Sequence, residues 1–379
     1  MLTRFYRRRR LVGAGAAALL SVAMASSGVS ESRCKERNSG NNDKNSGASY
    51  VTFLGTGSST GCPKPGCTYK KYEQVQRRKS RREEAGNFTP CEVSRMALQG
   101  DPRHNKNYRG NPSILVQYKG SGDESSNFVV DCGKTFREHF IRWAPSINLG
   151  GVAAVLLTHE HMDAYGGLDD LRGIQEKGGP SMPVYLSNVT LERVRRTFSY
   201  LVQPSQDEKE AEAGKAASTA DVPAVKRHVA SLSFRTFQDF SPLLVGNLRI
   251  YPLPVVHGED CTCYGFAFGE KDKVLYLSDI SRLPVETSEW ISNWRGGGQI
   301  DVLVLDALFM HRQHETHFSL DDAAALIRRL KPKKALLVGM SCDHWLEHDK
   351  ANEYLRNMFA EDGLEVSLAY DGQTLCLDL

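Results

Sequence analysis

Apolar residues along the chain gather into short runs that end in polar or glycine turns, and helical spacings fall between them. Runs rich in Val, Ile, Leu and aromatic residues predict strands over residues 50–54, 114–118, 127–131, 152–157, 184–186, 248–256, 261–269, 273–277, 301–305, 334–338, 366–370 and 374–377. Residues 167–176 carry Leu168, Leu171 and Ile174 at helical spacing. Helices are predicted likewise over 188–199, 320–330 and 350–359, the second of these capped by Ser319 and Asp322. Residues 203–220 are charged and Ala-rich with no apolar period, so an insertion without fixed structure is expected over about 203–230.

Several strand runs empty into residues that ligate metals. The run 152–157 is followed by Thr158-His159-Glu160-His161-Met162-Asp163-Ala164-Tyr165-Gly166-Gly167. In an extended turn residues i and i+2 project to one side, so His159 and His161 can chelate one ion while Asp163 reaches a position beside it. Imidazole with carboxylate suits zinc, manganese or iron and not calcium. The competing reading is a pair of solvent-facing loop histidines, but the apolar strand before and the Gly-Gly after frame a tight functional turn.

This stretch resembles the His-x-His-x-Asp signature of the metallo-β-lactamase-fold hydrolases, most of which have a second histidine where this chain has Ala164. Thr56-Gly57 after the first strand, Asp131 at a strand end, His257-Gly258 and Asp279 follow in the family's order. The resemblance spans about residues 50–379 and is closest to the cyclic phosphodiesterase and ribonuclease Z-like branch, where Asp169-Asp170-Leu171-Arg172 also recurs. It implies an α/β fold of αββα type, a four-layer sandwich with the site where strand ends meet. It also implies a third imidazole from His257 and a bridging carboxylate from Asp279, whose two oxygens can offset two cations. Asp131 is expected to orient a ligating imidazole. His317, in Thr316-His317-Phe318-Ser319-Leu320, is expected to assist a leaving group, since imidazole titrates near neutrality. An overlay on the family places Cys342 at its last metal-binding histidine; His344, two residues on, is expected to complete a second metal position, and Asp163 to orient or deprotonate water as well as bind metal.

Cys62, Cys67 and Cys91 lie on Pro/Gly-stiffened turns. They resemble the structural zinc site of the phosphonate-pathway phosphodiesterases, with Ser94 where that group often has cysteine and His348 as the expected fourth ligand. The expected cofactors are therefore one or two zinc or manganese ions; the cysteines read equally as a structural zinc site or as reduced, unliganded thiols. The expected reaction is metal-assisted hydrolysis of a small or cyclic phosphoester. A ribonuclease Z-like nuclease, a thioester or lactam hydrolase, and a non-catalytic metal-binding module are the alternatives.

Composition and charge refine this picture. A chain of 379 residues, 40% hydrophobic, can bury one large catalytic domain with insertions. Residues 1–50 carry +6 and residues 64–109 carry +7, which leaves −10 on residues 110–379 for a total of +3. An acidic body with a short basic, cysteine-containing insert over 62–109 does not favour nucleic acid as partner, although the insert could steer a phosphorylated substrate. Residues 1–30 hold no acidic residue and pass from arginines into an Ala/Gly-rich apolar run. This reads as a targeting leader, either an organellar (plastid or mitochondrial) transit peptide or a secretory signal with Ala23-Met24-Ala25 as cleavage site. The run is too short for a stable membrane anchor. Nine cysteines, an odd number beside His, Pro and Gly, favour a reducing organelle. Residues 31–49 read as a flexible linker, and the sequence leaves oligomeric state open.

Overall fold

The computed structural model describes residues 48–68, 91–120, 125–147, 149–202 and 229–379. The expected leader, nearly all of the linker, much of the basic insert and most of the insertion near 203–230 lie outside the described residues. Among the described residues no helix is long and apolar enough to cross a membrane.

Among the described residues fourteen strands form two mixed sheets. The first holds β1 (Ser49–Gly55), β2 (Ser113–Lys119), β3 (Ser125–Val130), β4 (Ala154–Leu156), β5 (Met182–Leu186) and β6 (Leu232–Thr236) in sequence order, with the last strand outside β1. The second runs from β7 (Leu243–Val245) through β8 (Leu248–Val256), β9 (Thr262–Phe268), β10 (Val274–Leu277), β11 (Val302–Asp306) and β12 (Lys334–Val338) to β13 (Glu365–Leu368). The last strand, β14 (Thr374–Leu377), pairs antiparallel with β1.

Alternation along the strands builds the layers. In β11, Val302 and Val304 face the other sheet, while Leu303 and Leu305 face outward beneath helices. In β4, Ala154 and Leu156 point inward and Val155 outward. Strands apolar on both faces must be covered on both. One outer layer contains α1 (Phe136–Trp143), the Leu168–Ile174 turn and α2 (Asn188–Thr197). The other contains α3 (Val285–Asn293), α4 (Leu320–Leu330) and α5 (His348–Met358). The architecture is the expected αββα sandwich.

Most expected elements form within one to three residues of their predicted bounds, and α4 begins at the Ser319–Asp322 capping box. The predicted helix over 167–176 is a 3-10 helix, Leu168–Ile174, which still buries Leu168 and Leu171. Strands β3 to β6 run parallel, as do β10 to β13. The turns after β3, β4, β8 and β10, and the end of β11 with the turn beyond it, carry the site residues.

Candidate metal centre

Four imidazoles and two carboxylates converge where strand ends of the two sheets meet. Ligand atoms of His159, His161 and His257 lie within 4.8 Å of one another, and so do those of His159, Asp163 and Asp279, and those of His257, Asp279 and His317. Asp279 links two of these groups from the turn after β10. His159, His257, Asp163 and Asp279 are buried and His161 is exposed, so the group opens to solvent on the side of His161.

Hydrogen bonds fix which nitrogen each ring presents. The Nδ1 of His257 donates to the Thr316 carbonyl at 2.7 Å, leaving Nε2 as the lone-pair nitrogen. Asp131, at φ 62° just after β3, accepts from the Thr158 amide and hydroxyl, both at 2.8 Å. With that hydroxyl proton committed to the carboxylate, Thr158 Oγ1 accepts from His159 Nδ1 at 2.8 Å. The Nε2 of His159 is thereby a lone pair aimed into the cluster, buried and without a hydrogen-bond partner. A buried polar atom without a partner is costly, and a cation held among these donors would satisfy it. The donor set of imidazoles and carboxylates fits a divalent transition-metal ion.

The charges oppose one another. Burial works against the Asp279 anion, but His159, His257 and His317 outweigh it and hold the carboxyl below its usual range. Burial and then the charge of Asp279 push the Asp163 carboxyl up. Burial lowers His159 to about 3, keeping it neutral as a ligand must be.

Close backbone approach sets the position of Asp163. A Cβ on Gly133 would stand 1.7 Å from the Asp163 carbonyl oxygen, so only glycine allows the β3–α1 turn to lie against the motif. The Cys132 amide donates to the Ala164 carbonyl at 2.8 Å and the Gly167 amide to the Cys132 carbonyl at 2.7 Å. Ala164, where most of the family has histidine, is buried and contributes only its backbone, the carbonyl accepting from Cys132 and the amide donating to the His161 carbonyl at 2.9 Å.

Two sequence expectations are corrected. His344 does not join the donors: its ring lies on Phe309 with centroids 4.1 Å apart, because the loop after β12 folds back over the Phe309 segment. His348 does not join the cysteines: it opens α5, and its Nδ1 faces Arg109 Nη2 at 3.0 Å. Cys342 takes the place beside Cys67 and Cys91, all three sulfurs within 4.8 Å, while Ser94 Oγ lies 3.0 Å from Cys342 Sγ. Cys62 packs in the same buried group.

Asp306 is a residue of the candidate site that sequence reasoning passed over. It ends β11 fully buried, and its Oδ2 accepts from His317 Nδ1 at 2.7 Å. Its signal was the pattern shared with Asp131 and Asp279, an aspartate at the end of an apolar run. Burial disfavours the His317 cation, but Asp306 and Asp279 overcome it and raise the imidazole to about 9.

The chain belongs to the β-lactamase superfamily, whose domain model matches residues 126–340. A diphosphatase of the PhnP family is 27% identical with a TM-score of 0.60, the match covering 87% of this chain and 99% of that one. Zinc-bound PqqB from Methylobacterium extorquens is 16% identical with a TM-score of 0.58, covering 86% of this chain and all of the other, a likeness of fold. An octanoyltransferase from Porphyromonas gingivalis is 25% identical over 289 residues, 76% of this chain. This chain spans only 45% of that relative's length.

Proposed function

We propose that this superfamily member is a metal-dependent phosphodiesterase that hydrolyses a small or cyclic phosphoester, with diphosphate linkages inside its range. The observation that carries the reading is the unpartnered, buried Nε2 of His159 among the donors of His161, His257, Asp163 and Asp279. Similarity to a diphosphatase along almost that protein's whole length supports phosphorus as the centre attacked.

His159, His161 and His257 would hold the first ion, with Asp163 and Asp279 beside it, and zinc or manganese in one or two copies suits these donors. When bound, the cation supplies Lewis acidity and lowers the pKa of water toward neutrality. Asp163 orients the attacking water and takes its proton at a carboxylate oxygen. His317 gives the proton on Nε2 to the leaving oxygen while Asp306 holds Nδ1–H, fixing the ring and its tautomer. Asp131 and Thr158 keep His159 in register. The sulfurs of Cys67, Cys91 and Cys342 would hold a separate structural zinc, with Cys62 beside them.

The test is turnover of a chromogenic phosphodiester by the zinc- or manganese-loaded chain. Wild type should hydrolyse it, His161→Ala should lose activity by about a thousandfold or more, and Asp306→Asn by about a hundredfold or more at neutral pH. Turnover that survives His161→Ala unchanged would contradict the reading.

A further inference from the structure

One cation stands at the rim of the donor group, placed there by the turns that build it. Lys134 follows Gly133, whose backbone lies against Asp163, and the Cys132–Ala164 and Cys132–Gly167 hydrogen bonds lock that turn to the metal-donor motif. The Lys134 stem packs over Gly166, its Cγ 3.1 Å from where a Cβ would be. Its Nζ donates to the Ser59 carbonyl at 2.8 Å. That carbonyl is itself held by Asn111 Nδ2 at 3.0 Å, so the ammonium leans on a fixed loop.

Lys134 is exposed, and among the described residues it makes no ion pair. The guanidinium groups flanking the donor loops are engaged instead, Arg193 with Glu160 at 3.4 Å and Arg282 with Glu259 at 3.2 Å. An ammonium has three donors, of which Ser59 takes one, so two remain for a ligand. Its charge already reaches Asp163, opposing the burial and the Asp279 charge that raise that carboxyl. A small molecule with one group on the metal donors therefore enters the field of Lys134. Asp279, the carboxyl held below its usual range, would repel a second anionic group on that molecule, and Lys134 is positioned to offset it.

We propose that Lys134 anchors the non-scissile phosphoryl group of a substrate that carries two, so that the site selects diphosphate-type compounds over simple phosphodiesters. The inference rests on the phosphodiesterase reading for its substrate class. Its test reads binding, so the two can fail separately.

The experiment titrates methylenediphosphonate and methylphosphonate into the zinc-loaded full chain by calorimetry, for wild type, Lys134→Gln and Lys134→Arg. The ratio of diphosphonate to monophosphonate affinity should fall about tenfold or more in Lys134→Gln and return to within about threefold of wild type in Lys134→Arg. An unchanged ratio in Lys134→Gln, or a wild-type chain that binds neither phosphonate, overturns the proposal. Lys134-dependent selectivity in a chain that hydrolyses no phosphodiester would uphold the anchor and remove the hydrolytic reading.

Discussion

Thr158 does more for the site than its place in the motif suggests. Its hydroxyl gives its proton to Asp131 and accepts from His159 Nδ1, and through that relay a buried carboxylate decides which nitrogen of His159 faces the cluster. Thr158→Val keeps the shape of the side chain and removes the relay. Metal affinity, measured by competition with a chromophoric chelator, should fall by about ten- to a hundredfold. Unchanged affinity would mean that the ring is held by packing alone.

The strand-end positions of His159, His161, His257 and Asp279 were legible because an apolar run that stops at a polar residue fixes where that residue stands relative to the sheet. His344 and His348 were not legible. Both follow β12, but their direction depends on how the loop packs against Phe309 and Arg109, contacts made with segments about 35 and 240 residues away in sequence.

Among the elements, the N-terminus of α5 meets the end of β1 and the turn before β14 through a buried polar network. Arg109 donates to Thr56 Oγ1 at 2.8 Å and faces His348 Nδ1, and Thr56 donates to Asp371 at 2.7 Å. Burial, and then the charge of Arg109, lower His348 from 6.5 to about 2. Between those values the unfolded chain binds the proton and the folded chain does not. Stability should therefore fall as the solution is acidified below 6.5, by about 2 kcal/mol from this residue at pH 5. His348→Gln, which can still accept from Arg109, should flatten the dependence of the urea midpoint on pH over that window. An equally steep dependence in the variant would assign the acid sensitivity elsewhere. None of this network was visible in sequence, where Arg109 reads as one more charge of a basic insert.

At the scale of the whole molecule, the α/β layering was legible because β4, β10, β11 and β12 are apolar on both faces, which only a covered sheet accepts. The edge strands β6 and β7 were not, since β6 is only half-buried and β7 has three residues, too few to show a period. The sandwich brings turns from both sheets to one cleft, with Asp131 and the His159–Asp163 turn on one side and His257, Asp279 and Asp306 on the other. The donors that this convergence gathers could hold a cation. The most direct measurement is metal stoichiometry by elemental analysis of the purified chain beside its His159→Ala and His257→Ala variants. Each variant should lose at least one ion per chain relative to wild type while remaining folded. Equal metal content in all three would contradict the account.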